Sequence, residues 1–364
     1  MKKIKIGIIF GGCSPEHEIS LLSANNVISA LDRTKYDPVL IGIDKSGRWI
    51  LPDPKKPLLG TESATSIRLN PTTNEQLSLL PSQETQVICG EDQEHSPGKL
   101  DVIFPVLHGP MGEDGTIQGL LRFVGIPCVG PGVLSSAACM DKEVTKNLLL
   151  QAGIPTPRFL CLRSHEKDTV RYRDVVAKLG TTLFIKPANL GSSVGINKVK
   201  DEAAFGPALE DAFQYDHKVL VEEAIVGREI EVGVLGNDDP KVTVPGEVIP
   251  KDEFYTFESK YSEGGLKFIV PADLPKKTVE TIQDYARRAF IALSCQGMAR
   301  ADFFVRGEEV FVNELNTIPG FTNQSGFPRL WAASGISYEE LIDKLIVLAI
   351  EAFEKDKRLK RNHF

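Results

Sequence analysis

Three side chains with hard oxygen donors lie close together near the C-terminal end of the chain. The stretch Arg300–Thr322 holds two runs of alternating apolar residues around Gly307, which predict two β-strands joined by a tight turn. Asp302, Glu314 and Asn316 are then expected on one polar face. Such ligands suit Mg²⁺, which takes one or two carboxylates and completes its shell with water and nucleotide phosphates. The pattern predicts a metal and nucleotide site, and the alternative is the solvated face of an ordinary hairpin.

The composition is that of an acidic globular protein. The chain has 364 residues, 42% hydrophobic and 25% charged, which predicts two or three domains. Its net charge of −7 argues against nucleic acid or an anionic membrane as the main partner, and no stretch predicts a membrane span. The six cysteines lack C-x-x-C spacing, so no zinc site or disulfide framework is predicted. We expect reduced, buried thiols and a cytoplasmic location.

The first third of the chain has the pattern of a β/α unit. The apolar run Ile4–Phe10 ends at two glycines and leads into a helical pattern whose N-terminus, beside Glu16, can hold a small anion or zwitterion. Further strands are predicted at Pro38–Asp44 and Asp101–His108, followed by a helix at TIQGLLRFV. Residues 51–99 are rich in Pro, Thr, Ser and Glu and are predicted to form an irregular insertion.

The pattern changes after this unit. MDKEVTKNLLLQAG predicts a helix closed by Gly153, and a strand then ends in Lys186. A helix and two strands, KVLVEEAI and REIEVGVLGN, complete an α+β region. The remaining chain predicts a helix around Thr281–Leu293, the hairpin and an amphipathic helix from Tyr338 to about Phe353.

The loop after Lys186 is suited to phosphate. Gly191 and Gly195 allow backbone N–H groups to point into one concavity, and the lysine adds a positive charge. It is not a Walker A loop, because G-x-x-x-x-G-K-[ST] is absent. A Gly/Ser loop is a linker as often as a phosphate site. Its neighbours favour the second role, because the strands that follow carry acids, among them Glu229, which could accept from a ribose hydroxyl.

Several long motifs occur in one order: GGCSPEHEIS, VLHGPMGEDGTIQG, SAACMDK, KPANLGSSVG, ESKY, RADFF and NELNTIPGFT. With them the sequence resembles the D-alanine–D-alanine ligases of the ATP-grasp superfamily, from about Ile4 to the final helix. The resemblance implies an α/β (α+β) fold with an N-terminal open parallel-sheet domain at 1–138. The two-part ATP-grasp fold would follow, with a central subdomain and lid loop at 139–228 and a C-terminal subdomain with the metal site at 229–364.

The resemblance implies that ATP lies between the last two subdomains. Two lysines and the loop backbone near Ser192 would contact its phosphates, residues 222–225 its adenine, and Glu229 its ribose. The implied nucleotide contacts are Lys142, Lys186, Ser193, Glu222, Glu223, Ala224, Ile225, Glu229 and Phe304. Asp302, Glu314 and Asn316 would hold two Mg²⁺ or Mn²⁺ ions.

The first amino-acid substrate also receives positions by resemblance. Glu16 matches the residue that holds the ammonium group of the first D-alanine, with His108 nearby. Arg300 and the Gly320 backbone match the groups that stabilise the oxyanion. Fixed donors suit this role because they need no reorganisation as the charge develops.

The second amino-acid substrate would be anchored through its carboxylate by Lys260 and Ser325. Tyr261, Ser192 and Glu16 match a hydrogen-bonded set near the attacking amine, and no single one of them is assigned as the base.

One position departs from the family pattern. Gly326 stands where many relatives have Met or Leu, so we expect a looser wall around the second substrate. Glu113 and Asp114, within GEDG, are expected to cap the following helix.

The implied reaction is the ATP-dependent ligation of two D-alanines through an acylphosphate, for peptidoglycan precursor synthesis, with release of ADP and phosphate. The enzyme would be an acid–amino-acid ligase, and relatives are homodimers. Two alternatives are a D-alanine–D-lactate ligase, which Tyr261 argues against, and a catalytically silent nucleotide-binding relative, which the intact lysines and acids argue against.

Overall fold

The computed structural model describes residues 2–53, 55–61, 66–71, 77–80, 87–89, 98–192, 194–250 and 266–360. Its three larger sheets take their strands from three successive stretches of the chain. This order agrees with the predicted open sheet followed by the two-part fold.

The N-terminal region is built on a mostly parallel sheet of order β3-β2-β1-β9, in which β1 pairs in parallel with β2 and β9. Its elements are β1 (Ile4–Gly11), α1 (His17–Ala30), β2 (Tyr36–Ile43), β3 (Trp49–Ile50), β4 (Leu58–Leu59), β5 (Arg68–Leu69), β6 (Ser78–Leu80), β7 (Val87–Cys89), β8 (Gly98–Lys99), β9 (Val102–Val106), α2 (Thr116–Val124) and α3 (Val133–Met140). The continuous apolar run of β1 is explained by its central place, because such a strand is covered on both faces. The predicted strands and helices are confirmed to within a few residues.

The stretch predicted to be an irregular insertion contains short strands in its described parts. β4 pairs with β5, and β6, β7 and β8 form a small antiparallel sheet. Leu58 and Ile67 belong to the N-terminal core. Strands of two or three residues are too short to show a periodicity in sequence, which is why the pattern missed them.

The central region is an antiparallel sheet of order β10-β13-β11-β12. Its elements are α4 (Lys142–Gln151), β10 (Phe159–Arg163), α5 (Tyr172–Leu179), β11 (Leu183–Pro187), β12 (Asn197–Val199), α6 (Glu202–Ala212) and β13 (Lys218–Glu223). The side chain of Asp141 caps α4 by accepting a hydrogen bond from the Val144 N–H. This cap fixes the start of the helix that carries Lys142.

The C-terminal region is an antiparallel sheet of order β17-β16-β14-β18-β19, with β15 beside β14. Its elements are β14 (Arg228–Gly236), β15 (Lys241–Val242), β16 (Gly246–Pro250), β17 (Leu266–Ile269), α7 (Lys276–Ala292), β18 (Gly297–Arg306), β19 (Glu309–Asn316), α8 (Gly326–Ala333) and α9 (Tyr338–Lys357). The predicted hairpin is confirmed as β18 and β19, and the predicted helices as α7 and α9.

The cores cross the boundaries suggested by sequence. Leu149 of α4 belongs to the same core as Phe290 and Val312 of the C-terminal region, while Leu345 of α9 belongs to the same core as Phe10 of the N-terminal region. Burying one such side chain contributes about 1.5–3 kcal/mol. The N-terminal and C-terminal cores therefore each combine residues from different regions of the chain, whereas the central sheet has a core of its own, which includes Ile185 and Val221. None of the helices in the described part of the chain has the length and apolar character of a membrane span.

Candidate active site

The hairpin brings its three predicted metal ligands together through a β-bulge. Asp302 lies opposite Glu314, and the register shifts between Asp302 and Phe303. Strict alternation would place Glu314 on the same face as the buried Val312, but the extra residue, Asn313, turns Glu314 toward the face of Asp302. Local sequence could not show this shift.

One face of the C-terminal sheet collects charged and polar groups from three strands, which we call the acidic face: Glu231, Arg300, Asp302, Glu314 and Asn316. Arg300 donates from Nε and Nη2 to the two Asp302 oxygens, both at 2.7 Å, and its Nε lies 3.5 Å from Glu231 Oε1. Burial lowers the pKa of Arg300, but Asp302 and Glu231 more than offset this and hold the pKa well above its ordinary value.

The acidic face fits a hard divalent cation by the chemistry of its donors. Asn316 Nδ2 lies 2.8 Å from Asp302 Oδ2, and Glu314 is the cross-strand neighbour of Asp302. Within the described residues, no three His, Cys, Asp or Glu side chains gather into a metal site by themselves. A cation here would therefore use two carboxylates and one amide oxygen and complete its shell with phosphate and water, as Mg²⁺ and Mn²⁺ do.

A second group of charges, which we call the lysine cluster, consists of Lys142, Lys146, Lys186 and Glu222. Lys186 Nζ lies 2.7 Å from Glu222 Oε2, and Lys146 Nζ lies 3.0 Å from Glu222 Oε1. Lys146 Nζ also donates to Thr156 Oγ1 at 2.8 Å, and Lys142 Nζ donates to the Leu190 carbonyl. Three lysines face one carboxylate, so the cluster has a positive surplus that suits a polyphosphate.

Burial and neighbouring charges shift the pKa values of the lysine cluster. Burial lowers the pKa of Lys142, and it lowers the pKa of Lys146 to about 8 although Glu222 opposes the shift. Burial raises the pKa of Glu222, but Lys146 and Lys186 outweigh it, so the net shift is downward. The charge of Glu314 also acts on Lys142. The lysine cluster and the acidic face therefore lie within electrostatic reach of each other.

The other predicted nucleotide contacts are spread around these two groups. Glu229 and Phe304 are cross-strand neighbours on the acidic side of the sheet. Glu223 receives hydrogen bonds from Arg158 Nη2 at 2.6 Å and Nε at 2.9 Å, so its carboxylate is paired with this arginine. The Ala224 N–H donates to Thr182 O at 3.1 Å, and Ile225 is half-buried. Ser193 lies outside the described residues.

The predicted contact between Glu16 and Ser192 is present. Ser192 Oγ donates to Glu16 Oε1, and Ser192 has a φ of 51°. A non-glycine residue in this left-handed region is strained, and such strain is common at functional sites. Tyr261, the third predicted member of the set, lies outside the described residues, as does Lys260.

His108 is buried beside Glu113, which the sequence had suggested only as a helix cap. His108 Nδ1 lies 3.1 Å from Ile318 O and 3.7 Å from Glu113 Oε1. Burial lowers the pKa of His108, but Glu113 and Glu16 more than offset this and raise it. The capping prediction is wrong for both acids, because the N-cap of α2 is Gly115, although Asp114 accepts from the N–H of Thr116, the first residue of the helix, at 2.9 Å.

Gly320, Ser325 and Gly326 lie together at the start of α8. A Cβ on Gly320 would lie 3.2 Å from Ser325 Oγ, which itself accepts from the Thr322 N–H at 3.1 Å. The extra room expected at Gly326 is occupied by Glu231, whose carboxylate overlaps the place of a side chain there. An acid from β14 therefore takes the place of the missing side chain at position 326.

The cysteines whose burial the structure describes agree only in part with the expected buried pattern, because Cys128 and Cys161 are half-buried. Cys139 and Cys295 are buried with their sulfur atoms 3.7 Å apart, as packing groups would be. Burial raises the pKa of Cys128 to about 12. Cys13 is exposed, so the prediction is wrong for this residue. It lies in the loop after β1, outside the core.

The chain has an open, mostly parallel sheet followed by two antiparallel sheets, and buried lysines lie near a group of carboxylates. This fold and site are those of an ATP-grasp enzyme of the ATP-dependent ligase class. Two family models match the chain, "D-ala D-ala ligase N-terminus" at residues 5–131 and "D-ala D-ala ligase C-terminus" at residues 148–347. The chain belongs to the D-alanine–D-alanine ligase family.

Individual relatives agree with the family models. The chain is 49% identical to a D-alanine–D-alanine ligase of Oceanobacillus iheyensis, over 99% of this chain and 98% of the relative. A structure of the D-alanine–D-alanine ligase from Coxiella burnetii is 36% identical, with a TM-score of 0.84 over 98% of this chain and 97% of that one. The VanG D-Ala:D-Ser ligase from Enterococcus faecalis is 34% identical, with a TM-score of 0.83 over 96% of this chain and 100% of that one.

Proposed function

We propose that this chain joins two molecules of D-alanine into D-alanyl-D-alanine at the expense of ATP, for peptidoglycan precursor synthesis. The observation that carries the proposal is that the lysine cluster lies within electrostatic reach of the acidic face, with the Glu16–Ser192 contact in the Gly-rich loop. The family of the chain supports the same reaction.

The nucleotide is held by charge and by backbone. Lys142 and Lys186 neutralise its phosphates, and Glu229 accepts from a ribose hydroxyl on the face that also carries Phe304. The cross-strand carboxylates Asp302 and Glu314, with Asn316, would hold Mg²⁺ or Mn²⁺, which supplies positive charge to the transferring phosphoryl group.

The chemistry proceeds in two steps. A carboxylate oxygen of the first D-alanine attacks the γ-phosphorus of ATP, and the bond to ADP breaks. The amine of the second D-alanine then attacks the acyl carbon, and phosphate leaves. Arg300 and the Gly320 N–H stabilise the oxyanion of the tetrahedral intermediate because they are fixed before its charge appears.

The substrate amines need acidic or hydrogen-bonding partners. Glu16 pairs with the ammonium group of the first D-alanine, near His108. The second amine loses a proton toward the set formed by Glu16, Ser192 and Tyr261. Ser325, with Lys260, receives the second carboxylate at the start of α8, where the helix dipole favours negative charge.

We further infer a cytoplasmic homodimer: the resemblance to the family implies the dimer, and the six cysteines without disulfide spacing are in line with the location. Light scattering of the purified protein across a concentration series measures its mass directly. A monomer at micromolar concentration would contradict the dimer but would leave the reaction unaffected.

The reaction is tested by its products. The protein is incubated with ATP, Mg²⁺ and D-alanine, and phosphate and dipeptide are measured; parallel reactions add D-lactate or D-serine. We expect phosphate release that requires D-alanine and equals dipeptide formation. Phosphate release independent of D-alanine, or none, overturns the proposal. A predominant D-alanyl-D-lactate or D-alanyl-D-serine product would assign a different second substrate. The similarity to the VanG D-Ala:D-Ser ligase makes D-serine the more important alternative to test.

A further inference from the structure

Glu231 lies between Arg300, which is proposed to stabilise the oxyanion, and the start of α8. It lies on β14 opposite Asp302 of β18, and its Oε1 is 3.5 Å from Arg300 Nε. Its Oε2 lies beside Gly326, the first residue of α8. No chemical motif of the sequence includes Glu231, because only strand pairing brings it to this place.

The presence of glycine at position 326 is explained by the neighbouring Glu231 side chain and not by the backbone conformation at 326. Gly326 lies in the first turn of a helix, where any residue can adopt the conformation, and glycine is unfavourable in helices. A Cβ at this position would overlap Glu231 Oε2 and lie 3.5 Å from Phe268 Cζ. The missing side chain leaves room for the carboxylate, near a helix N-terminus that favours negative charge.

Arg300 needs a second carboxylate if Asp302 binds a cation. Both oxygens of Asp302 accept from Arg300 in this structure, and Asp302 is also one of the proposed metal ligands. An oxygen that is directed to a metal interacts less with the guanidinium group. Glu231 is not among the proposed ligands, so its contact with Arg300 remains when Asp302 turns to the metal.

We propose that Glu231 is a positioning residue for Arg300, and that position 326 is glycine because the Glu231 carboxylate occupies the place of its side chain. The inference rests on the proposed function for the role of Arg300. It predicts that removal of the Glu231 charge affects the rate of the chemical step more than the binding of D-alanine, since a misplaced oxyanion donor weakens the transition state.

The first test compares two isosteric substitutions. Glu231→Gln removes the proposed positioning charge, while Glu247→Gln on the adjacent strand β16 removes a carboxylate paired with Arg228 at 2.7 Å, away from Arg300. For Glu231→Gln we expect kcat to fall about 10-fold with KM for D-alanine changed less than about two-fold. Glu247→Gln should keep both constants. Equal kcat values for the two variants overturn the proposal.

The second test asks whether Glu231 acts through Arg300. In an Arg300→Gln background, which removes the cation, Glu231→Gln should cause little additional loss of kcat, because residues that act as a unit are not additive. If the fold-loss of kcat in the double variant equals the product of the two single fold-losses, the proposal is overturned.

The same variants are unfolded in urea without metal or nucleotide. The effects of the two substitutions on stability should again be non-additive, and additive effects count against the contact. If the wild type shows no D-alanine-dependent phosphate release, the proposed function fails, while this unfolding cycle still tests the contact.

The third test concerns the glycine. Gly326→Ala should lower kcat by displacing Glu231, and the same substitution in a Glu231→Ala background should cost no further kcat, because the space is then open. Wild-type kcat for Gly326→Ala alone, or an equal loss in both backgrounds, overturns this part of the proposal.

Discussion

The lysine cluster and the acidic face carry opposite charge surpluses and differ in their access to water. Lys146 and Glu222 are 0% and 4% exposed, whereas Arg300 and Asp302 are 21% and 15% exposed. Buried charges keep fixed partners because desolvation makes exchange costly. The lysine cluster is thus set before a ligand arrives, while the more open acidic face can exchange partners for a metal.

The largest expected effect is on the acidic face. Glu314→Gln should lower turnover at least about 10³-fold, because one of two carboxylate ligands loses its charge opposite the phosphates. The measurement is D-alanine-dependent phosphate release at saturating ATP and Mg²⁺. Turnover close to that of the wild type would refute the metal assignment and the contrast between the two groups.

The next effect concerns Lys186, the member of the lysine cluster assigned to phosphate. Lys186→Met should lower kcat/KM for ATP about 10²-fold, since a charge-assisted contact to the phosphates is lost while Lys146 still faces Glu222. Steady-state kinetics with varied ATP measure this change. Lys146→Met is the matched control, and an equal kinetic loss there would show that the cluster acts as one undivided group.

A smaller effect appears in the stability of the lysine cluster against pH. The pKa of Lys146 is about 8 in the folded protein and 10.5 as its ordinary value, so the unfolded chain binds more protons between these values. Stability therefore rises with pH across this window, by at most about 3 kcal/mol. Urea unfolding from pH 8 to 10.5 should show the wild type gaining stability relative to Lys146→Met. A constant difference would contradict the shifted pKa.

The smallest effect is expected at an ion pair on the surface. Arg158 is 63% exposed and pairs with Glu223 at 2.6 Å. Arg158→Gln should leave the urea midpoint and the rate of phosphate release almost unchanged, because solvent screens the exposed guanidinium group, although the Glu223 side chain is only 11% exposed. A loss of stability as large as that of Lys146→Met would show that burial does not explain the difference between the two groups.

Local pattern predicted the elements well where they are long and regular. The run Ile4–Phe10, the hairpin around Gly307 and the final helix were recovered from apolar spacing and turn residues. The short strands within 51–99 were missed, because two-residue strands show no period. Lys146 was also missed as a charged member of the site, since a lysine four residues after Lys142 is what an ordinary helix surface shows.

The sequence alone determined the order of the sheets and the family, and it proposed most of the candidate site residues, because these depend on spacing and on motifs that are local in the chain. Tertiary structure decided which side chains meet. The bulge at Asn313 turns Glu314 toward Asp302, strand pairing brings Glu231 to Arg300, and helix packing buries Lys146 against Glu222. Such contacts join residues far apart in the chain, so they follow from register and packing and cannot be read from local pattern.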